Sequence, residues 1–255
     1  MIAMAESAPS PSPATLDPDD VARFDSVASR WWDPDGPFKP LHRMNPVRLG
    51  YIRDRVCAHF GRDPMAPSPL VGLDIVDVGC GGGLLTEPMA RLGAGAVGID
   101  AGEEGVAAAR RHAEEGGLSI DYRVRTAEAL AAEGKRFDVV LALEIVEHVA
   151  DPDAFLEALS RLTKPGGCIV MSTLNRTPRS FALAIVGAEY LLRWVPRGTH
   201  RWRQFVRPSE LAAGLRRHGV AVDDVSGMVL DPLRGEWRLD PRKLEVNYIL
   251  FGRKG

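Results

Sequence analysis

The chain has 255 residues, enough for one domain with a large buried core and an added lid rather than two independent units. Hydrophobic residues make up 45% and charged residues 26%, with a formal net charge of −2, so there is no overall electrostatic bias toward nucleic acid. The chain does not start with a cationic stretch and an apolar core, and it lacks an apolar run of roughly 18 residues for a transmembrane helix; a cytoplasmic protein is expected.

Residues 1–18 are rich in Pro, Ser and Ala and poor in bulky apolar groups, the composition of a disordered tail. A folded domain is expected over 19–255. From Asp19 the pattern turns helical, with Val21, Phe24, Val27, Ala28, Trp31 and Trp32 largely along one face until Pro34 and Gly36-Pro37 stop it. The adjacent tryptophans read either as a core anchor or as part of a lid over a hydrophobic substrate. A second helix is expected to take Asn45 as N-cap and Pro46 as its first helical residue, and to run to about Phe60. Residues 19–62 thus form a helical cap, and Asp63 to Pro69 is a Pro-rich linker.

The run from Leu73 to Val78 is apolar and β-branched, and it enters the cluster Gly79-Cys80-Gly81-Gly82-Gly83. Leu84, Leu85, Met89 and Leu92 follow at helical spacing, and a second apolar run, Ala96 to Ile99, ends on Asp100. Strand, glycine turn, helix and strand make the opening unit of an open parallel sheet. Glycines such as Gly79 and Gly81 let backbone N–H groups approach a ligand, and Asp100 can accept from both hydroxyls of a ribose, so a nucleoside is expected here. The glycine spacing fits G-x-G-x-x-G poorly, and Asp77 just ahead of the loop would repel a pyrophosphate while tolerating an ammonium group. Cys80 reads as a small turn residue. With Cys57 and Cys168 it forms no metal-ligand spacing, and three thiols suit a reducing compartment.

Further on, a helix over Glu103 to Glu115 precedes strands at Ile120 to Val124 and Phe137 to Leu143. The second of these delivers Glu144-Ile145-Val146-Glu147-His148-Val149 to the carboxyl edge of the sheet, where doubly wound folds place their ligands. If this segment is helical, Glu144, Glu147 and His148 share one face. Two carboxylates there could hold a divalent cation such as Mg2+, and the imidazole could be a ligand or a base. A helix from Asp151-Pro152 to a glycine turn at Lys164-Pro165-Gly166-Gly167 leads into a strand from Cys168 to Thr173. Residues 176–207 then interrupt the alternation with seven arginines against one acid, Glu189. Their apolar centre is too short to span a bilayer but suits a basic amphipathic lid on an anionic membrane surface. RNA stacking on Trp202 and Phe205 is the other use of that charge, although no nucleic-acid module signature accompanies it. A helix from Pro208 to about His218, a strand from Val220 to Val229 and a strand over Leu244 to Gly252, half exposed or at a sheet edge, complete the chain.

Four blocks together carry a specific resemblance: Ser29 to Asp33 (SRWWD), His42 to Ile52 (HRMNPVRLGYI), Asp77 to Gly83 (DVGCGGG) and Ser172 to Arg176 (STLNR). The glycine block resembles motif I of the class I S-adenosylmethionine-dependent methyltransferases. The blocks as a set closely resemble the ubiquinone biosynthesis O-methyltransferases from about Val21 to Phe251. Met44 and Leu143 stand where other apolar residues are common, and neither removes a polar contact. The resemblance implies an α/β, Rossmann-like, doubly wound and mostly parallel seven-stranded sheet with helices on both faces, extended by the N-terminal cap and by a lid inserted after strand five. It implies S-adenosylmethionine as methyl donor, with Arg48 contacting it, Leu143 bordering the adenosyl group and Glu128 a candidate acceptor for the adenine amine. The expected substrates are polyprenylated catechol-type intermediates and a demethylated quinol. Deprotonating the phenol then falls either to a cation held by Glu144, Glu147 and His148 or to His148 as sole base. A peripheral position on the inner membrane and a place in a ubiquinone-biosynthesis complex complete what the resemblance implies.

Overall fold

The computed structural model describes residues 18–182, 202–231 and 235–255. Alternation along the strands sends neighbouring residues to opposite faces of one sheet. In β1 (Asp74–Val78), Ile75 joins one apolar cluster while Val76 and Val78 join another. The same division runs through β4 (Phe137–Leu143) and β5 (Thr163–Leu174), where Val139, Leu141 and Val170 face one way and Val140, Ala142 and Ile169 the other. Burial on both faces is what makes these strands continuously apolar in sequence.

One face is covered by α2 (Lys39–His59) through Ile52 and Val56, and by α3 (Thr86–Arg91) through Met89. The other is covered by α5 (Ala127–Ala132), α6 (Pro152–Leu162) and α8 (Pro208–Arg217), through Leu130, Leu159 and Leu215. With β2 (Gly95–Asp100), β3 (Asp121–Val124), β6 (Val220–Asp231), β7 (Glu236–Asp240) and β8 (Asn247–Lys254), the order is β3-β2-β1-β4-β5-β8-β6-β7. The first five strands are parallel neighbours, and β8, β6 and β7 are antiparallel. Strand order reverses between β1 and β4, so their carboxyl ends open a crevice.

Among the described residues the sheet has eight strands rather than the expected seven. The addition is β7, paired with β6 from Asp231↔Glu236 to Gly227↔Asp240. Its sequence does carry a period of two, with Trp237 and Leu239 set between charged residues. The second helix begins at Lys39, with Pro40 in its first turn, and Pro46 lies inside it. Asn45 is therefore no N-cap, and its Nδ2 donates to the Leu84 carbonyl (2.9 Å), tying α2 to the glycine loop. The strand expected from Cys168 starts at Thr163, and the glycine turn lies within it as an irregularity: Gly166 has φ of 74°, and the pairing with β4 jumps from Phe137↔Thr163 to Val139↔Cys168.

Of the basic 176–207 segment, the described part includes α7 (Pro178–Ser180), which Thr177 caps by accepting from the Ser180 N–H. Trp202 Nε1 donates to the Thr177 carbonyl (2.9 Å), and Phe205 is 1% exposed and so presents no face for a stacked base. Arg193, Arg197 and Arg201, like the proposed tail, lie outside the described residues. Among the described residues no helix is long and apolar enough to cross a membrane.

Candidate active site

The glycine loop turns β1 back beneath β2. The N–H groups of Gly79 and Cys80 both donate to the Ile99 carbonyl (2.8 and 3.0 Å). Gly79 and Gly81 have φ of 74° and 49°, in the left-handed region that favours glycine. Both are also sterically required. A Cβ on Gly79 would lie 2.3 Å from the Ile145 side chain, and one on Gly81 would lie 2.4 Å from the Trp31 ring. Trp31 stacks on Phe38 (3.6 Å between centroids), while Trp32 stacks on His112 (3.4 Å) and donates Nε1 to the Gly82 carbonyl (2.9 Å). The tryptophan pair is thus a core anchor that braces the glycine loop, with Trp31 also lining the cavity above it.

Asp100, at the end of β2, accepts from the Gly81 N–H (2.9 Å) and from the Gly102 N–H (2.8 Å). Burial raises its pKa, those two backbone bonds lower it, and the neighbouring Asp25 raises it further, leaving it above the usual carboxylate value. Asp25 comes from α1 (Pro18–Asp25) and accepts from the Gly105 N–H (3.3 Å) at the start of α4 (Glu103–Glu115). Asp77 is buried under the loop, accepts from Thr86 Oγ1 (2.7 Å), and is pushed by that burial up to about 6.

The other wall is the end of β4. Glu144 has φ of 54° and is the one non-glycine residue with positive φ among the described residues. Its N–H still donates to the Ser172 carbonyl (2.8 Å), keeping it in the sheet, after which the chain turns sharply into a 3₁₀ turn at Val146–His148. Glu144 Oε1 accepts from Ser172 Oγ (2.6 Å) and pairs with the Arg48 guanidinium (2.8 Å). Arg48 is 2% exposed, and its Nε has no hydrogen-bond partner. Glu147 is buried, accepts from Thr173 Oγ1 (2.8 Å), and has its pKa raised by burial and then by Glu144. His148 Nδ1 lies 3.1 Å from Asp20 Oδ2, with the Phe24 ring edge-on at 5.4 Å. Burial works to lower the His148 pKa, but Asp20, Glu147 and Glu144 outweigh it and the net direction is upward.

The helical face expected for Glu144, Glu147 and His148 does not form. A left-handed residue followed by a 3₁₀ turn sends the three side chains to separate partners: Arg48 with Ser172, Thr173, and Asp20. Among the described residues no three acidic, histidine or cysteine side chains are placed to share a metal ion. Placed in this way, the three side chains do not fit a divalent cation.

The two walls enclose a cavity of about 680 Å3, within the range that holds a drug-sized ligand. Arg48, Gly79, Gly81, Asp100, Glu128, Leu143, Glu144, Glu147 and His148 all line it. So do Asp20 and Asp25, which sequence reasoning did not single out, and Met228 and Trp237 from the antiparallel strands. The strand alternation around Trp237 could have revealed that wall. No local signal marks Asp20, whose partner lies 128 residues away.

A doubly wound sheet with a glycine turn after β1 and an acid closing β2 is the frame of a nucleoside-binding fold, and the match of a family model described as methyltransferase domain to residues 76–171 makes the class that of the methyltransferases. Two solved structures share the fold at low identity. Magnesium protoporphyrin IX methyltransferase from Synechocystis, with bound S-adenosylmethionine, is 19% identical with a TM-score of 0.59, covering 96% of this chain and 100% of that one. A SAM-dependent methyltransferase from Aquifex aeolicus is 16% identical with a TM-score of 0.56, covering 94% and 100%. Closer in sequence are proteins named ubiquinone biosynthesis O-methyltransferase. The one from Azorhizobium caulinodans is 55% identical over 94% of each chain, and the one from Dinoroseobacter shibae is 57% identical over 92% of this chain and 95% of its own. The chain belongs to the ubiquinone biosynthesis O-methyltransferase family.

Proposed function

We propose that this chain methylates a ring hydroxyl of a polyprenylated catechol-type intermediate, and later that of a demethylated quinol, with S-adenosylmethionine as donor. The names of its relatives support the substrate class. The observation that carries the donor site is Arg48: a guanidinium 2% exposed, with a partnerless Nε, in a cavity shared by the glycine loop and His148. A buried donor without an acceptor costs about 1–3 kcal/mol, and a carboxylate from an amino-acid tail would satisfy it. Asp77, on the same cavity, suits the ammonium of that tail, and Asp100 suits ribose hydroxyls beside Gly79 and Gly81, which line that cavity too. Glu128 and Leu143 are assigned to the adenine end.

When bound, S-adenosylmethionine supplies an electrophilic methyl group on a sulfonium. The protein must align a phenolate behind that methyl, exclude water and take the phenol proton. His148 takes the proton at Nε2, because Nδ1 faces Asp20. As the O–H bond breaks, the oxygen bonds to the methyl carbon while that carbon's bond to sulfur breaks and leaves a neutral thioether; the positive charge passed to the imidazole sits among Asp20, Glu147 and Glu144, which stabilise it. The proton then leaves to solvent.

The seven arginines of residues 176–207 support a further reading, that the enzyme works peripherally on an anionic membrane where prenylated substrates reside. Sedimentation with anionic vesicles should fall when Arg193, Arg197 and Arg201 are neutralised, and equal binding removes that part. For the reaction itself, labelled methyl transfer to a short-chain catechol analogue is expected for the wild type and a loss of about a hundredfold or more in kcat for His148→Gln. Wild-type turnover in the variant would end the assignment of His148 as base.

A further inference from the structure

We propose that Asp20 is a positioning residue for His148, delivered by α1 from the start of the described chain; this rests on His148 acting as base. Two residues of α1 meet the imidazole and a third holds one of them, all at helical spacing. Asp20 Oδ2 faces His148 Nδ1 at 3.1 Å, Arg23 pairs with Asp20 Oδ1 at 2.7 Å, and Phe24 meets the ring edge-on at 5.4 Å between centroids. Asp20 is only 5% exposed, and a carboxylate is not buried without partners that hold its charge. Its two oxygens divide the work: one is pinned by a guanidinium, and the other takes the imidazole N–H. The division determines function. With Nδ1 donating to Asp20, the neutral ring carries its proton there and Nε2 is the basic nitrogen, oriented by the ring's fixed plane.

A carboxylate present only to neutralise Arg23 would need no imidazole beside it, and a histidine present only to fill space would need no buried acid. Both side chains instead line the cavity that holds the glycine loop. The same helix carries Asp25 to the Gly105 N–H at the nucleoside side, so α1 touches both ends of the reaction space. Asp20 never contacts a reacting atom in this scheme. It sets the tautomer and direction of the group that does.

The test uses Asp20→Asn, Asp20→Glu and the double variant with His148→Gln, assayed with S-adenosylmethionine and a short-chain catechol, alongside 15N NMR of the histidine rings assigned by difference from His148→Gln. Asp20→Asn should lower kcat by about tenfold to a hundredfold with little change in the donor KM. It should also move the His148 ring nitrogens away from the Nδ1–H pattern. Asp20→Glu, which keeps the charge on a longer stem, should recover part of kcat. In the double variant, Asp20→Asn should add nothing to His148→Gln, because Asp20 acts only through that ring. A kcat within twofold of wild type for Asp20→Asn, an unchanged ring spectrum, or a full multiplicative loss in the double variant would each overturn the proposal. An active His148→Gln enzyme would instead remove the base, while the ring spectrum of Asp20→Asn would still report whether Asp20 sets the tautomer.

Discussion

Asp77 provides a quantitative handle on the donor site. It is buried, and burial lifts its pKa from an ordinary 3.8 to about 6 despite the bond from Thr86 and the attraction of Arg48. In the unfolded chain the proton leaves near 3.8, in the folded protein near 6, so between those values the unfolded state binds fewer protons and stability falls as pH rises. The loss is complete above the folded value and absent well below the unfolded one. A shift of about 2 units corresponds to ~3 kcal/mol held against the ligand-free fold at neutral pH. Asp77→Asn keeps an acceptor for Thr86 and removes the charge. Relative to wild type it should gain about 2 kcal/mol of stability between about pH 4.5 and about pH 8, read by urea denaturation at each pH. The same variant should bind S-adenosylhomocysteine about tenfold more weakly at the higher pH, since the ionised carboxylate is the partner of the ligand's ammonium. A stability difference that does not change with pH, or a wild type that is the more stable protein at high pH, refutes the reasoning.

Three other perturbations have defined outcomes. Asp100→Ala strands the Gly81 and Gly102 N–H groups and removes the ribose acceptor, so calorimetry with S-adenosylhomocysteine should show affinity lowered by about thirtyfold, and an unchanged value moves the nucleoside elsewhere. Gly81→Ala forces a side chain into a left-handed backbone and to 2.4 Å from the Trp31 ring; denaturation should show a loss of roughly 2 kcal/mol or more, and a neutral result means that the ring does not brace the loop. Arg48→Lys keeps the charge but not the planar fork, so donor affinity should still fall about tenfold, measured by the same calorimetry.

The parts of the site legible in sequence are those whose geometry is local. Between Leu73 and Asp100 the chain makes a strand, a glycine bend, a helix and a strand, and hydrophobic period, glycine and acid all survive as text. Where several glycines were needed because of a neighbour, the neighbour was not readable: Trp31 is 50 residues ahead of Gly81, and only the folded cap shows that its ring occupies the space of a Cβ. The expected cap position of Asn45 failed for a related reason. A proline preceded by Asn looks like a helix start, but Pro40 already supplies one, and the Asn45 amide is drawn to Leu84 instead.

The Glu144 to His148 segment shows most sharply why a periodicity argument stops at the edge of a sheet. A shared face for its three side chains requires a helix that follows the strand at once, whereas Glu144 is still bonded to β5 through Ser172 and leaves the sheet by an abrupt reversal. That reversal places Glu144 against Arg48, a residue chosen by α2, and leaves His148 to be met by Asp20, a residue chosen by α1. A left-handed φ at a glutamate costs of order 1 kcal/mol or more, and the buried guanidinium and the Ser172 hydroxyl are what hold it there. The side chains at the carboxyl end of β4 are therefore partnered by two helices that precede the whole sheet in the chain, which puts α1 and α2 on the same cavity as the glycine loop.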